Sequence, residues 1–82
     1  MTTTYIQAID IIGHERGQAV ARVALVPDQP GYAILHETVR WEAATGAGKG
    51  FAVQDALGRL RDRAATITGP DPALLTRHQE ET

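Results

Sequence analysis

Apolar and polar positions divide this chain into three strand-like runs followed by one helix-like run. Thr3 to Ile12 (TTYIQAIDII), Gln18 to Val26 (QAVARVALV) and Tyr32 to Ala43 (YAILHETVRWEA) are rich in β-branched and aromatic residues and read as strands. Gly13 to Gly17 (GHERG) suits a hairpin loop, and Pro27 to Gly31 (PDQPG) suits a compact turn. The period then changes. Within FAVQDALGRLRDRAATITG, Val53, Ala56, Leu57, Leu60, Ala64 and Ile67 recur at helical spacing and form one apolar stripe. Gly69 and Pro70 are a stop signal. The pattern predicts an α+β fold, a three-stranded antiparallel β-meander packed on one α-helix. Residues 1–69 form this β-β-β-α domain, and 70–82 form a C-terminal tail. In the tail Asp71 can cap a short helix that starts at Pro72 and runs to about Gln79.

Tight turns imply registers. Centring the first hairpin near Glu15 sets Ile11 opposite Ala19, Ile9 opposite Ala21 and Tyr5 opposite Leu25. Centring the second near Gln29 sets Leu25 opposite Ala33, Val23 opposite Leu35 and Ala19 opposite Val39. All these residues fall on one face, the expected core face: Tyr5, Ile9, Ile11, Ala19, Ala21, Val23, Leu25, Ala33, Leu35, Val39 and Trp41. Gln7 and Glu37 share it as inward polar groups on outer strands, where they discourage edge pairing. The small residues Ala19, Ala21 and Ala33 allow the helix to approach. On the helix, Asp55 and Arg59 form an i,i+4 pair of favourable direction.

The opposite face carries Ile6, Val20, Val26, Tyr32 and Ile34 beside Arg22, His36 and Arg40. Scattered aliphatics on a solvated face are common. A broad apolar set rimmed by arginine and histidine is instead what an interaction site looks like. The expected protein-interaction residues are Ile6, Val20, Arg22, Tyr32, Ile34, His36 and Arg40. A homodimer that buries this face is the first expectation. Docking of Leu74 and Leu75 there is its competitor.

Composition narrows the classes. Eighty-two residues with 43% hydrophobic and 22% charged content suit one small globular unit, for which self-association adds stability. The net charge of −2 removes the simplest case for nucleic-acid binding, a strongly basic domain. With no cysteine, disulfides, thiolate metal sites and a cysteine nucleophile are excluded. The N-terminal run lacks the pattern of a secretory signal, so a cytoplasmic location is expected.

TGAGKGF, Thr45 to Phe51, invites comparison with phosphate-binding loops. A Walker loop needs G-x-x-x-x-G-K-[ST]. Aligned on Gly48 and Lys49, this chain has Ala43 at the first glycine and Gly50 at the hydroxyl position. The dinucleotide pattern G-x-G-x-x-G is broken at Phe51. The stretch therefore reads as a strand-to-helix connector. Two His-Glu pairs, His14-Glu15 and His36-Glu37, with His78, raise a metal site. The expected register separates the pairs and sets His36 opposite Arg22, so no metal and no cofactor is expected. The chain has no serine, and nothing places two carboxylates in a pocket. It is not expected to be an enzyme, and a site formed only between subunits is the weakest of the readings.

From Tyr5 to Ala65, the order β-β-β-α with GAGKGFAVQDAL (Gly46 to Leu57) feeding the helix resembles the latter part of a double-stranded-RNA-binding domain. Gly13-His14 in the first hairpin adds a looser match. In that family the start of this helix carries adjacent lysines that grip phosphates; here Lys49 stands alone, and no counterpart of the family's first helix is expected before Tyr5. The resemblance implies the fold and an alternative function, nucleic-acid binding through Lys49, Arg59 and Arg63. The leading expectation is a small non-catalytic interaction protein that binds or occludes a protein partner, as a regulator or a phage-type inhibitor of the anti-defence, anti-CRISPR kind. It is expected to self-associate as a homodimer and to need no membrane.

Overall fold

The computed structural model describes residues 3–75. Three strands, β1 (Tyr5–Glu15), β2 (Gln18–Pro27) and β3 (Leu35–Glu42), form an antiparallel sheet in the order β1-β2-β3, followed by helix α1 (Lys49–Ala65). A single helical turn lies at 72–75. This is the expected α+β fold. The remainder of the expected C-terminal helix, to about Gln79, and His78 lie outside the described residues.

The first hairpin is tighter than GHERG suggests. Glu15 pairs with Gln18, leaving Arg16 and Gly17 as a two-residue turn with φ of 49° and 80°. Two positive φ values in succession match the right-handed twist of the flanking strands, as in a type I′ turn. Gly13 is therefore a strand residue, next to a bulge between Ile11 and Gly13. The tighter turn and the bulge move the pairing. Ile11 faces Ala21, Ile9 faces Val23 and Gln7 faces Leu25, two residues from the expected partners.

The second register is also displaced by two, with Leu25 opposite Leu35, Val23 opposite Glu37, Ala21 opposite Val39 and Ala19 opposite Trp41. The connection after Pro27 is longer than PDQPG, so β3 begins at Leu35 and not at Tyr32. A slip of two keeps each side chain on its expected face. His36 consequently lies opposite Ala24, while Arg22 stands between Asp10 and Thr38, which corrects the expected His36–Arg22 pair.

α1 lies across β2 and β3 and buries Val53, Ala56, Leu57 and Leu60 against Ala19, Ala21, Val23, Leu25, Leu35, Val39 and Trp41. The alanines of β2 let the helix backbone come close to the sheet centre. β1 is left outside this cover. Ile9 and Ile11, expected in the core, are 45% and 58% exposed, and Ala33 is exposed in the β2–β3 connection. Tyr5 alone of the β1 residues packs partly on the core.

The loop TGAGKGF closes the sheet–helix turn through its backbone. Gly46 N–H donates to Glu42 O at 2.8 Å, and Glu42 N–H donates to Ala47 O at 3.2 Å. Gly46 and Gly48 take φ of 74° and 84°, where a side chain is disfavoured. Gly48 is the N-cap, so the helix starts at Lys49, ahead of Phe51. It ends at Ala65 with Thr66 as C-cap, short of Ile67 and of the Gly69-Pro70 stop.

The segment after α1 returns to the β2–β3 connection. Asp71 N–H donates to Gly31 O at 2.7 Å. The Asp71 carboxylate accepts the Ala73 N–H at 2.9 Å, so Asp71 caps the last helical turn as its sequence suggests. Gly31, with φ of 91°, lies against Pro70 and Leu75 so closely that an added Cβ would meet them at 2.6 and 2.9 Å. Leu74 and Leu75 are half-buried, and Leu75 docks at this turn.

Candidate interaction surface

On the sheet face away from α1 the side chains form rows across the strands. Ile6 pairs with Val26, and Ile34 stands in the connection just before Leu35, the residue opposite Leu25. Ile6 is 61% exposed and Ile34 56%. The next row, Ala8–Ala24–His36, is small in the middle with an exposed imidazole at its β3 end. Then come Asp10–Arg22–Thr38 and Gly13–Val20–Arg40. The face is thus apolar at the Ile6–Val26 end, most polar at the Asp10–Arg22–Thr38 row, and mixed near the Arg16-Gly17 turn.

Of the residues the sequence nominates, Ile6 and His36 lie towards the apolar end of the sheet, with Ile34 in the connection that leads into β3. Arg22 lies at mid-sheet, facing Asp10 across the strands, an arrangement in which opposite charges balance. Arg40 reaches across β2 to Glu15, donating from Nη1 to Oε2 at 3.0 Å. Val20, directly beside Arg40 in the sheet, is buried to 6% exposure and is separated from the apolar row. Tyr32 also leaves this set. It is half-buried beside Tyr5, which belongs to the helix side.

The three cations of the nucleic-acid alternative are all on α1. Arg59 is engaged by Glu37 and Asp55. Those hydrogen bonds, Glu37's first, raise the guanidinium pKa further above its already high value. Lys49 places its Nζ 5.4 Å from the centroid of the Trp41 ring, within the range of a cation–π contact. Arg63 is exposed in the last helical turn. A phosphate backbone would have to compete with two carboxylates for Arg59.

Two features were not legible as sites in the sequence. The first is the extent of exposed β1, where Ile9, Ile11 and Ile12 join Ile6 as solvent-facing aliphatics. The strand pattern marks these residues as apolar, but nothing local says which strand the helix omits. The second is Phe51, 81% exposed in the first turn of α1. Its position away from the Val53–Ala56–Leu57–Leu60 stripe is the signal that could have found it.

Among the described residues no group of three or more histidine, aspartate and glutamate side chains is placed to hold a metal ion. No helix among them is long and apolar enough to cross a membrane. The chain matches no protein-family model, no curated protein and no solved structure. The resemblance to a double-stranded-RNA-binding domain holds at the level of β-β-β-α order.

Proposed function

We propose that this chain is a small non-catalytic interaction protein that acts by seating its sheet face on a protein partner and occluding it, as a regulator or an inhibitor of phage type. The observation that carries this reading is the apolar end of the sheet, where Ile6 pairs with Val26 and Ile34 leads into β3, both isoleucines being more than half exposed. An apolar centre with His36, Arg22 and Asp10 at its margin has the composition of a recognition patch, whose centre drives association and whose rim sets specificity. A molecule with extents of 44 × 25 × 14 Å presents such a face broadly and has little depth for a substrate cleft.

The test compares Ile34→Lys and Ile6→Lys with the wild type as bait in lysate of the source cell, followed by calorimetry on the partner recovered. Both positions are exposed, so the variants are expected to fold as the wild type does. Each should weaken the complex by at least about tenfold, the scale of one buried interface anchor. Full affinity in both variants would overturn the reading.

A further inference from the structure

We propose that the free edge of β1 is a self-pairing edge, through which two copies of this chain join antiparallel into a continuous six-stranded sheet. The pairing uses the edge of the sheet and not the outer-face row, so it stands or falls separately from the partner-binding reading.

β1 is an edge strand of 11 residues, and among the described residues β2 is its one neighbouring strand. Asp28 N–H donates to Thr4 O at 3.0 Å, which fixes the hydrogen-bonding phase of the β1–β2 ladder. Hydrogen-bonded and non-hydrogen-bonded pairs alternate along an antiparallel ladder. Ile6, Ala8 and Asp10 therefore bond towards β2, while Tyr5, Gln7, Ile9 and Ile11 direct their N–H and C=O groups to the open edge. Lysine and proline, which commonly block such an edge, are absent from β1, and Gln7, the polar residue expected to discourage pairing there, carries no charge. Its bulge lies between Ile11 and Gly13, near the turn, and leaves Tyr5 to Ile11 regular.

The helix reinforces the opening. Arg59 leans to Glu37 on β3, so helical geometry puts Gln54 and Arg61 on the side of α1 nearer β1. Ile9 and Ile11, on the helix side of β1, remain about half exposed. A second strand alongside would give these isoleucines something to pack on.

A second copy of this same strand fits. A twofold axis normal to the sheet sets like face on like face, so both helices lie on one side of the joined sheet. Centred on Asp10, the pairing would oppose two aspartates, which is unfavourable. Centred on Ala8, it would set Asp10 against the partner's Ile6 and Ile9 against the partner's Gln7. Centred on Ile9, it joins Ile9 to the partner's Ile9, Gln7 to the partner's Ile11, and Asp10 to the small Ala8 of the partner subunit. This last register opposes no like charges and stacks the two most central isoleucines on each other. It also makes outward backbone groups meet outward backbone groups at Gln7, Ile9 and Ile11.

The absence of cysteine makes the register directly measurable. Ile9→Cys, Gln7→Cys and Ile11→Cys are each introduced into the full chain and oxidised, and covalent dimers are scored on non-reducing gels. Ile9→Cys should cross-link alone; Gln7→Cys and Ile11→Cys should cross-link only when mixed with each other. Sedimentation equilibrium should find the wild type dimeric and Ile34→Lys equally dimeric. Ile9→Lys should weaken dimerisation by roughly 30-fold or more, with its far-ultraviolet circular dichroism unchanged. A wild type that is monomeric at about 0.1 mM, a concentration that would populate even a weak dimer, overturns the proposal. So does a dimer that Ile34→Lys dissociates and Ile9→Lys does not. Cross-linking at Gln7 or Ile11 alone, without Ile9, would overturn the Ile9-centred register.

Discussion

Arg59 of α1 joins Glu37 of β3 through Nε, 3.0 and 3.1 Å from the two carboxylate oxygens, and through Nη2, 2.9 Å from Oε1. The same guanidinium also donates to Asp55, one helical turn earlier. Glu37 is the one acid on the helix side of β3, and this contact explains how the sheet accommodates it. The pair marks the side of α1 that faces β3. In a double-mutant cycle, Arg59→Ala and Glu37→Ala should show a favourable coupling at low salt. The pair is solvent-exposed, so that coupling should shrink towards nothing in 1 M salt, where the screening length is about 3 Å. Urea unfolding of the four variants in both buffers measures it.

Gly31 is confined by its own φ of 91° and by Pro70 and Leu75. Gly31→Ala should destabilise the protein by about 1–3 kcal/mol, the range for a side chain forced into the left-handed region. It should also loosen the segment after Pro70, read as faster proteolysis there. Gly58 offers the control. It lies inside α1 with nothing within 4 Å of an added Cβ, so Gly58→Ala should stabilise by about 1 kcal/mol, the ordinary helix-propensity difference. Thermal melts of the two variants should move in opposite directions.

Leu60 is fully buried at the helix–sheet junction. Leu60→Ala should cost about 2–5 kcal/mol, as large-to-small core changes do. A domain of this size has only roughly 3–5 kcal/mol from its core. Circular dichroism should therefore find Leu60→Ala largely unfolded at 37 °C, with Ile67→Ala, at a 37% exposed position beyond α1, close to wild type.

Tyr5 has a buried hydroxyl oxygen without a hydrogen-bond partner. Its pKa is raised, by desolvation first and by Tyr32 second. A raised folded-state pKa means that the folded protein holds this proton more tightly than the unfolded chain. The contribution to stability is full below about pH 10, the unfolded tyrosine value, and is lost as pH rises through the folded pKa. Tyr5→Phe should remove that part of the alkaline loss. At pH 7 it should be neutral or stabilising by up to about 1 kcal/mol, because an unpaired buried hydroxyl is eliminated. Urea titrations at neutral and alkaline pH test both halves.

The apolar periods alone determined the α+β class, the strand order, the core stripe of α1 and the face to which most strand residues point. They survive errors of detail for a physical reason. Side chains alternate with period two, so registers displaced by two residues still sent Ala19, Ala21, Val23, Leu25, Leu35, Val39 and Trp41 to the helix side. The glycines of TGAGKGF were likewise readable as a connector, and Gly46 and Gly48 adopt the φ that only glycine takes easily. Tertiary structure decided the rest. Whether GHERG is a loop or a two-residue turn with a bulged strand depends on pairing energy across the hairpin. Which strands α1 covers depends on the close approach permitted by Ala19 and Ala21, with Arg59 meeting Glu37 on the β3 side. That choice left Ile9 and Ile11 of β1 in solvent, although their spacing marks them as core, because one 17-residue helix spans two strands and not three.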